Sequence, residues 1–362
     1  MSETIEARTV SPNEAKSAVG YALTLKRPIM IWGAPGIGKS DIIQQIGTDQ
    51  KREVIDIRLP LWEPTDIKGI PFFNSKKNIM EWAPPSELPS DPKSKAILFL
   101  DEINAAAPAV QAAAYQLILN RKVGTYKLPE GVSIVAAGNR EGDKGVTYRM
   151  PAPLANRFVH LTMRVDHDDW TQWATNNKIH PDVVGYCGFS KQDLYDFDPK
   201  GASRAFATPR TWAFVSQLLS DDLPESTLTD LVAGAVGDGL AVKFMAHRKV
   251  ASELPNPTDV LKGKVKEVNI DQVSAQYSLT ISMCYELKDA HDKAKGKLTE
   301  WYKMADNFFR FMMDNFETEL VVMGAKIALT NYKLPFDPSK LKSFDRFHKK
   351  FGKYVITAMD SK

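Results

Sequence analysis

Residues 27 to 46 read RPIMIWGAPGIGKSDIIQQI, in which an apolar stretch, a glycine-rich turn and a helix-like pattern follow one another. The run from Ile29 to Trp32 predicts a buried strand, and the isoleucines after the turn recur at helical spacing. Between them, Gly33 to Ser40 fit the pattern G-x-x-x-x-G-K-[ST]. Glycines let the backbone curl, so that its N–H groups and the start of the next helix point at one phosphate. The stretch therefore predicts a strand, a phosphate-binding loop and a helix.

The last two residues of this loop have separate expected tasks. Lys39 is expected to reach the β- and γ-phosphates of a nucleotide, and the Ser40 hydroxyl to take one position on Mg²⁺. The alternative is a glycine-rich turn that binds nothing, but the flanking strand and helix are the context that the phosphate-binding pattern requires. The predicted nucleotide-binding residues are Gly33, Ala34, Pro35, Gly36, Ile37, Gly38, Lys39, Ser40 and Asp41.

Composition places the chain among ordinary globular proteins. Its 362 residues are 43% hydrophobic and 25% charged, which predicts two or three domains with sizeable cores. The formal net charge of +3 is too small to imply a nucleic-acid or membrane partner. Cys187 and Cys284 lack metal-like spacing and are expected to be reduced thiols. Without a secretory h-region or an apolar run of membrane-spanning length, the chain is predicted to be cytoplasmic.

Apolar runs alternate with helical patterns through the first 165 residues, which predicts an α/β domain with a parallel sheet covered by helices. After residue 165 only helical patterns continue, through Pro209 to Leu219, Ser226 to Met245 and Val268 to Asp289. A domain boundary is therefore expected near residue 165. The candidate strands are Ile29–Trp32, Val54–Arg58, Ala96–Leu100, Val132–Ala136 and Phe158–Met163.

Two carboxylates follow the third candidate strand, in AILFLDEIN at residues 96 to 104. In P-loop enzymes the first acidic residue after such a strand holds Mg²⁺, which makes Asp101 the metal-ligand candidate together with Ser40. Glu102 is then placed to activate the attacking water as a general base. The alternative is a solvated turn or helix cap.

A polar residue ends the fourth candidate strand as well, in GVSIVAAGNR at residues 131 to 140. Because parallel strands end at one edge of the sheet, Asn139 is expected in the same crevice, where it could hold the lytic water. The alternative is an asparagine that only forms a turn.

Four motifs together resemble a known family. GAPGIGKS, LFLDE, AAGN and MPAPLANRF occur in the order seen in AAA+ ATPases, and their details are similar to the MoxR branch, which is related to dynein-type modules. The resemblance covers residues 10 to 250. It implies a P-loop AAA+ core over residues 1–165, with a five-stranded sheet in the order 5-1-4-3-2, a helical lid over 166–255 and a helical C-terminal extension over 256–362. It also implies ATP with Mg²⁺, and a homo-oligomeric ring, a hexamer, with nucleotide bound between subunits.

Two further stretches are similar to the MoxR branch. Residues 66 to 69, DIKG, and the apolar residues after them resemble its helix-2 insert, and residues 120 to 132 resemble its hairpin before sensor 1. In the family such hairpins touch the substrate. The alternative is a surface hairpin without substrate contact, in which Trp62, Phe72, Phe73 and Trp82 form a small core of their own.

The resemblance also implies two functional arginines. A ring ATPase needs a cation that completes the neighbouring subunit's site, and the family places it before the Phe that starts the fifth strand, which matches Arg157; Arg149 is the alternative. The family's lid arginine, sensor 2, matches Arg210 in the TPR segment, with Arg204 as its alternative. Each could instead be a surface arginine whose ion pair contributes little.

The leading hypothesis is an ATPase ring, chaperone-like, that remodels a protein partner; MoxR relatives suggest a von Willebrand A-type protein. The second hypothesis is a nucleic-acid motor, because lysines and phenylalanines interleave in KLPFDPSKLKSFDRFHKKFGKYV at residues 333 to 355. That segment could equally be an amphipathic helix with buried phenylalanines. A third hypothesis, a nucleotide-binding scaffold without turnover, is disfavoured by Glu102 and Asn139.

Overall fold

The computed structural model describes residues 8–140, 142–143, 147–201, 203–251, 253–269, 272–294, 296 and 298–360. The chain divides into two compact units. The first contains the residues up to Asp166 together with Asp198–Gly201, and the second contains 167–197 with 202–362. Both helical sections predicted after residue 165 fall mainly in the second unit, and the further boundary at 255 stays a prediction.

The first unit contains a parallel sheet and two antiparallel hairpins. Its strands are β1 (Thr9–Val10), β2 (Ile29–Trp32), β3 (Val54–Arg58), β4 (Ile70–Asn74), β5 (Ile79–Ala83), β6 (Ile97–Asp101), β7 (Lys122–Val123), β8 (Tyr126–Lys127), β9 (Ser133–Gly138) and β10 (Val159–Met163). Its α-helices are α1 (Pro12–Thr24), α2 (Lys39–Gln50), α3 (Pro64–Lys68), α4 (Pro108–Asn120) and α5 (Ala152–Ala155).

The sheet has six strands in the order β1-β10-β2-β9-β6-β3. The predicted order 5-1-4-3-2 is confirmed for the five expected strands, but the predicted count of five is wrong. The additional strand is β1, whose two residues pair with Thr162 and Met163 at the edge of the sheet. Two residues are too few to produce a period-two hydrophobic pattern, which is why the sequence does not indicate this strand.

The central strands are buried along nearly their whole length. Parallel strands covered by helices on both faces need apolar residues at every position, and IMIW, ILFLD and SIVAAG are close to that pattern. Helix α1 begins with a capping box, in which the Glu14 backbone N–H donates to Ser11 Oγ and the Ser11 N–H donates to the Glu14 carboxylate.

Both predicted hairpins are present. β4 pairs with β5 and β7 pairs with β8, each pair antiparallel. The hairpins contact one another, because Thr125 Oγ1 donates to the Trp82 carbonyl at 2.8 Å. The alternative of a small core in the insert is wrong for its two phenylalanines: Phe72 is 46% and Phe73 65% exposed.

The second unit is helical in its described residues. Its α-helices are α6 (His167–Asn176), α7 (Pro181–Phe189), α8 (Pro209–Leu218), α9 (Glu225–Val236), α10 (Asp238–Ala251), α11 (Pro257–Leu261), α12 (Val273–Lys293), α13 (Thr299–Asn315), α14 (Thr318–Lys326) and α15 (Lys342–Asp360). Within the described ranges, no helix combines the length and the hydrophobicity that crossing a membrane requires.

Two helical patterns in this unit differ in detail from the helices of the structure. The pattern over Ser226 to Met245 forms two helices, α9 and α10, because Gly237 takes a φ of 94° and ends the first of them. The helix expected from Val268 begins at Val273. Asn315 contacts the chain ahead of this helix, since its Oδ1 accepts from the Val268 N–H and its Nδ2 donates to the Lys266 carbonyl.

Candidate nucleotide-binding site

The candidate site lies at the carboxyl ends of three adjacent strands. β2 pairs with β9, with Trp32 opposite Gly138, and β9 pairs with β6. The residues that follow these strand ends are therefore neighbours at one edge of the sheet, where ligands of open α/β sheets bind. The phosphate-binding loop, the acidic pair and Asn139 meet at this edge, as expected from the sequence.

The loop from Gly33 to Ser40 depends on its glycines. Gly36 and Gly38 have φ angles of 74° and 91°, in the left-handed region that other residues rarely adopt. A β-carbon on Gly33 would lie 2.6 Å from Ile37 Cδ1. The backbone thus curls tightly before α2, which begins at Lys39 and directs its free N–H groups toward the loop.

Lys39 is buried, with 9% of its surface exposed. Its Nζ donates to the carbonyls of Gly33 at 2.7 Å and Ala34 at 2.9 Å, and to Asn139 Oδ1 at 3.0 Å. A buried ammonium group is tolerated only with such partners. The lysine therefore brings its charge to the point where the loop and Asn139 converge.

Ser40 and Asp101 form the second contact of the site. Ser40 Oγ donates to Asp101 Oδ2 at 2.9 Å, and the other carboxylate oxygen accepts from the Glu102 backbone N–H at 2.9 Å. Asp101 is only 6% exposed. A hydroxyl and a carboxylate side by side supply the oxygen ligands that Mg²⁺ prefers, so this pair fits the predicted metal.

Asp56 adds a further carboxylate on the neighbouring strand β3 that the sequence analysis did not single out. Partial burial raises its pKa, and the nearby charge of Asp101 raises it further, while Arg58 opposes the shift. Negative charge is thus concentrated beside Asp101, which a bound cation would relieve.

Glu102 follows Asp101 in a left-handed backbone conformation, with a φ of 54°. Such a conformation is unfavourable for a residue with a side chain and is found preferentially at functional sites. Its side chain is exposed, and no described residue forms a hydrogen bond or ion pair with its carboxylate. The carboxylate is therefore accessible to solvent.

Asn104 is a site residue that the sequence analysis missed. It is 2% exposed, its Nδ2 donates to the Asn139 carbonyl at 2.8 Å, and its Oδ1 accepts from the Asn139 N–H at 3.2 Å. A β-carbon on Gly138 would lie 2.4 Å from that same Oδ1. Asn104 stands at the end of AILFLDEIN, but no spacing rule marks it, because its two bonds reach a backbone 35 residues away.

Arg157 lies at the opposite end of the sheet. It precedes β10, whose first residue Val159 is opposite Ile29, the first residue of β2. The four residues of β2, at about 3.3 Å each, separate the amino end of this pair from the phosphate-binding loop by about 13 Å. Arg157 is exposed and has no hydrogen-bonding or charged side-chain partner among the described residues. The structure therefore does not bring it to the site of its own chain.

The other candidate arginines are also exposed. Arg149 lies in the segment before α5. Arg210 stands in the first turn of α8, in the second unit, where Thr208 forms a capping box with Thr211, and Arg204 lies before it. The roles of all four arginines stay predictions.

The fold and the site together define a P-loop nucleotide-binding domain. A family model described as "ATPase family associated with various cellular activities (AAA)" matches residues 28–160. The matched range contains the phosphate-binding loop, Asp101, Glu102, Asn139 and Arg157. Residues 28–160 are thus similar to this family of ATPases, a match that covers just over a third of the chain.

The similarity to individual proteins is weak. Midasin of Giardia intestinalis is 25% identical over 189 residues, which are 49% of this chain but only 4% of Midasin. RuvB of Thermotoga maritima, a Holliday junction branch migration motor, aligns with a TM-score of 0.37 and 16% identity over 69% of this chain and 74% of its own. NtrX of Brucella abortus aligns with a TM-score of 0.38 and 12% identity over 96% and 69%. TM-scores below 0.5 say nothing about activity.

Proposed function

We propose that the chain hydrolyses ATP in a homo-oligomeric ring and uses the energy to remodel a protein partner, as a MoxR-like AAA+ ATPase. One observation carries the hydrolytic part. The contacts of Lys39 with Asn139 and of Ser40 with Asp101 bring a cation, an amide and a metal-binding pair to one edge of the sheet.

Each of these groups has a task in the proposed reaction. The backbone of Gly33 to Ser40 binds the phosphates, and Lys39 directs its charge at the γ-phosphate. Ser40 and Asp101 would hold Mg²⁺, which neutralises negative charge on the phosphate oxygens. Asn139 orients the attacking water, and Glu102 accepts a proton from it.

Arg157 completes the site of a neighbouring subunit in this proposal. Its place at the amino end of the sheet is remote from the loop of its own chain, and it is exposed. Positive charge near the γ-phosphate stabilises the transition state of phosphoryl transfer. An arginine provided by a second copy of the chain makes oligomerisation a condition for turnover. The resemblance to the MoxR branch is the basis on which we also propose a hexamer and a lid arginine at Arg210.

A protein substrate is supported by the β4–β5 hairpin. Phe73 lies opposite Met80, and each is 65% exposed; Pro71 and Trp82 form the next pair on the same face. Exposed apolar surface of this kind is typical of sites that contact other proteins. A von Willebrand A-type protein is the partner class that the MoxR resemblance suggests.

The nucleic-acid hypothesis loses its main support. Phe344, Phe347 and Phe351 are 7%, 1% and 4% exposed, so their rings are not available to stack on bases. Lys349 pairs with Asp345, and Arg346 with Asp314. α15 is thus an amphipathic helix whose aromatic face is packed in the second unit.

Replacing Glu102 tests the hydrolytic assignment. Glu102→Gln removes the base and keeps the phosphate-binding groups, so we expect ATP to bind with nearly the affinity seen for the unmodified chain while turnover falls by about 100-fold or more. Equilibrium binding and steady-state phosphate release measure the two effects. Turnover close to that of the unmodified chain would contradict the assignment.

The same variant tests the protein substrate. With ATP bound and not hydrolysed, the Glu102→Gln variant should retain its partner. The triple variant Glu102→Gln, Phe73→Ser, Met80→Ser should release the partner without loss of ATP binding. Lys39→Met, which removes the phosphate contact, is the control for retention that does not depend on nucleotide. Equal retention by all three variants would argue against a substrate that binds at the hairpin.

A further inference from the structure

His160 connects two parts of the ATPase domain that the sequence analysis treats separately. It lies on β10 opposite Met30, two residues before the level of Trp32 on the neighbouring strand β2. Trp32 Nε1 donates to His160 Nδ1 at 2.8 Å, and the two rings are stacked, with centroids 6.0 Å apart and an angle of 12° between planes. The Trp32 indole thus reaches back along the sheet from the residue that precedes the phosphate-binding loop.

The second ring nitrogen of His160 contacts the segment that carries Arg157. His160 Nε2 lies 2.8 Å from the carbonyl oxygen of Ala155, the last residue of α5. Because the indole N–H can only donate, Nδ1 is the acceptor, and in the neutral imidazole Nε2 therefore carries the proton and donates to that carbonyl. The same carbonyl also accepts from the Phe158 backbone N–H at 3.1 Å.

The turn between Ala155 and Phe158 is otherwise anchored on its inner side. Leu154 and Phe158 are 1% and 7% exposed and belong to the core of the first unit, against which Trp32 packs. Arg157 stands on the outer side of this turn and is exposed. The side chain of His160 contacts the Ala155 carbonyl, two residues before the arginine.

We propose that His160 is a positioning residue: it holds the turn that presents Arg157 to the neighbouring subunit, and through Trp32 it ties that turn to the strand before the phosphate-binding loop. The inference rests on the proposed role of Arg157 in a ring. The contacts of His160 with Trp32 and with Ala155 connect the carboxyl end of β2 to the turn before β10. They link the phosphate-binding loop of one subunit to the arginine that enters the site of the neighbouring subunit. Small displacements matter here, because misplacing a catalytic group by 1 Å can lower a rate by about 100-fold.

Mixed rings separate this role from a general effect on folding. Glu102→Gln chains are donors, which lack turnover of their own but keep Arg157. Arg157→Ala chains are acceptors, with an intact site that needs a neighbour's arginine. Mixing the two should restore ATP turnover that neither chain has alone.

His160→Ala is then placed in one chain at a time. In the donor we expect it to lower the restored turnover by about ten-fold, and in the acceptor to have the smaller effect. His160→Gln, which keeps a donor near the position of Nε2, should recover most of the activity in the donor. Thermal unfolding of each variant checks that the chains fold.

The outcomes distinguish the two proposals. Absence of restored turnover in the first mixture would overturn the role of Arg157 in a neighbour's site, and the role of His160 with it. Restored turnover that His160→Ala does not lower, or lowers equally from either chain, would overturn the role of His160 alone.

Discussion

At the scale of single residues, Asn104 determines how Asn139 is held. Both ends of its amide group bind the backbone of Asn139, and its own carbonyl accepts from the Tyr148 N–H. The residue therefore joins the end of β6 to the end of β9, which places Asn139 beside Lys39. The position of the proposed water-orienting group depends on an amide that touches no reactant.

We therefore expect Asn104→Ala to lower both stability and turnover. The loss of two partly buried hydrogen bonds leaves the Asn139 backbone unsatisfied and should decrease the free energy of unfolding by about 1–3 kcal/mol. The displaced Asn139 should lower kcat by about ten-fold or more, with a smaller change in KM for ATP. Denaturant unfolding and steady-state kinetics measure these effects.

Gln111 offers a matched control for this experiment. It is also 2% exposed and buries an amide, whose Nε2 donates to the Ala106 carbonyl at 3.0 Å. Gln111→Ala should decrease stability by a similar amount and leave kcat close to that of the unmodified chain. If both substitutions lowered kcat to the same extent, the effect of Asn104 would be one of stability only.

At the scale of secondary-structure elements, the sequence was most informative about the strands of the parallel sheet. β2 and β3 have the predicted bounds: β2 is a continuous apolar run, and β3 alternates isoleucine with charged residues. Asp101, Glu102 and Asn139 were found because they stand at the end of a buried strand or directly after it. Contacts between residues distant in sequence, such as the hydrogen bonds of Asn315 with Lys266 and Val268, have no local signal.

Helix α15 shows the same limit and leads to a prediction. The sequence left open whether its phenylalanines stack on bases or pack in a core. Phe347 contacts Phe309, with ring centroids 5.0 Å apart, and also Phe344 and Phe351. Phe347→Ala should therefore lower the free energy of unfolding by about 3–5 kcal/mol, measured by denaturant or thermal unfolding.

Lys349→Ala is the control on the same helix. Its ion pair with Asp345 is exposed, so its removal should change stability by less than about 0.5 kcal/mol. Titration of a single-stranded oligonucleotide at low salt provides the second readout. A Phe347→Ala chain that kept full stability but lost oligonucleotide binding would favour the nucleic-acid hypothesis.

At the scale of the whole molecule, the candidate nucleotide site lies in the first compact unit, and the helices after Asp166 lie in the second. The sequence predicted the change from alternating strands and helices to helices alone near residue 165, because the strand-like runs end there. It could not predict that Asp198–Gly201 group with the first unit, since such an assignment depends on contacts distant in sequence. A ligand of the phosphate-binding loop should therefore stabilise primarily the first unit.

This selectivity gives the last prediction. In the Glu102→Gln chain, which should preserve bound ATP, MgATP at 100 times its Kd should raise the free energy of unfolding of the first unit by about 2.7 kcal/mol. Chelation of Mg²⁺ should reduce the shift, because Ser40 and Asp101 then lack the ion that links them to the phosphates. Calorimetry, with hydrogen exchange of the β2, β6 and β9 amides to locate the effect, measures it. Adding Lys39→Met should abolish the shift; an equal shift in that variant, or one confined to the helices after Asp166, would place the nucleotide elsewhere.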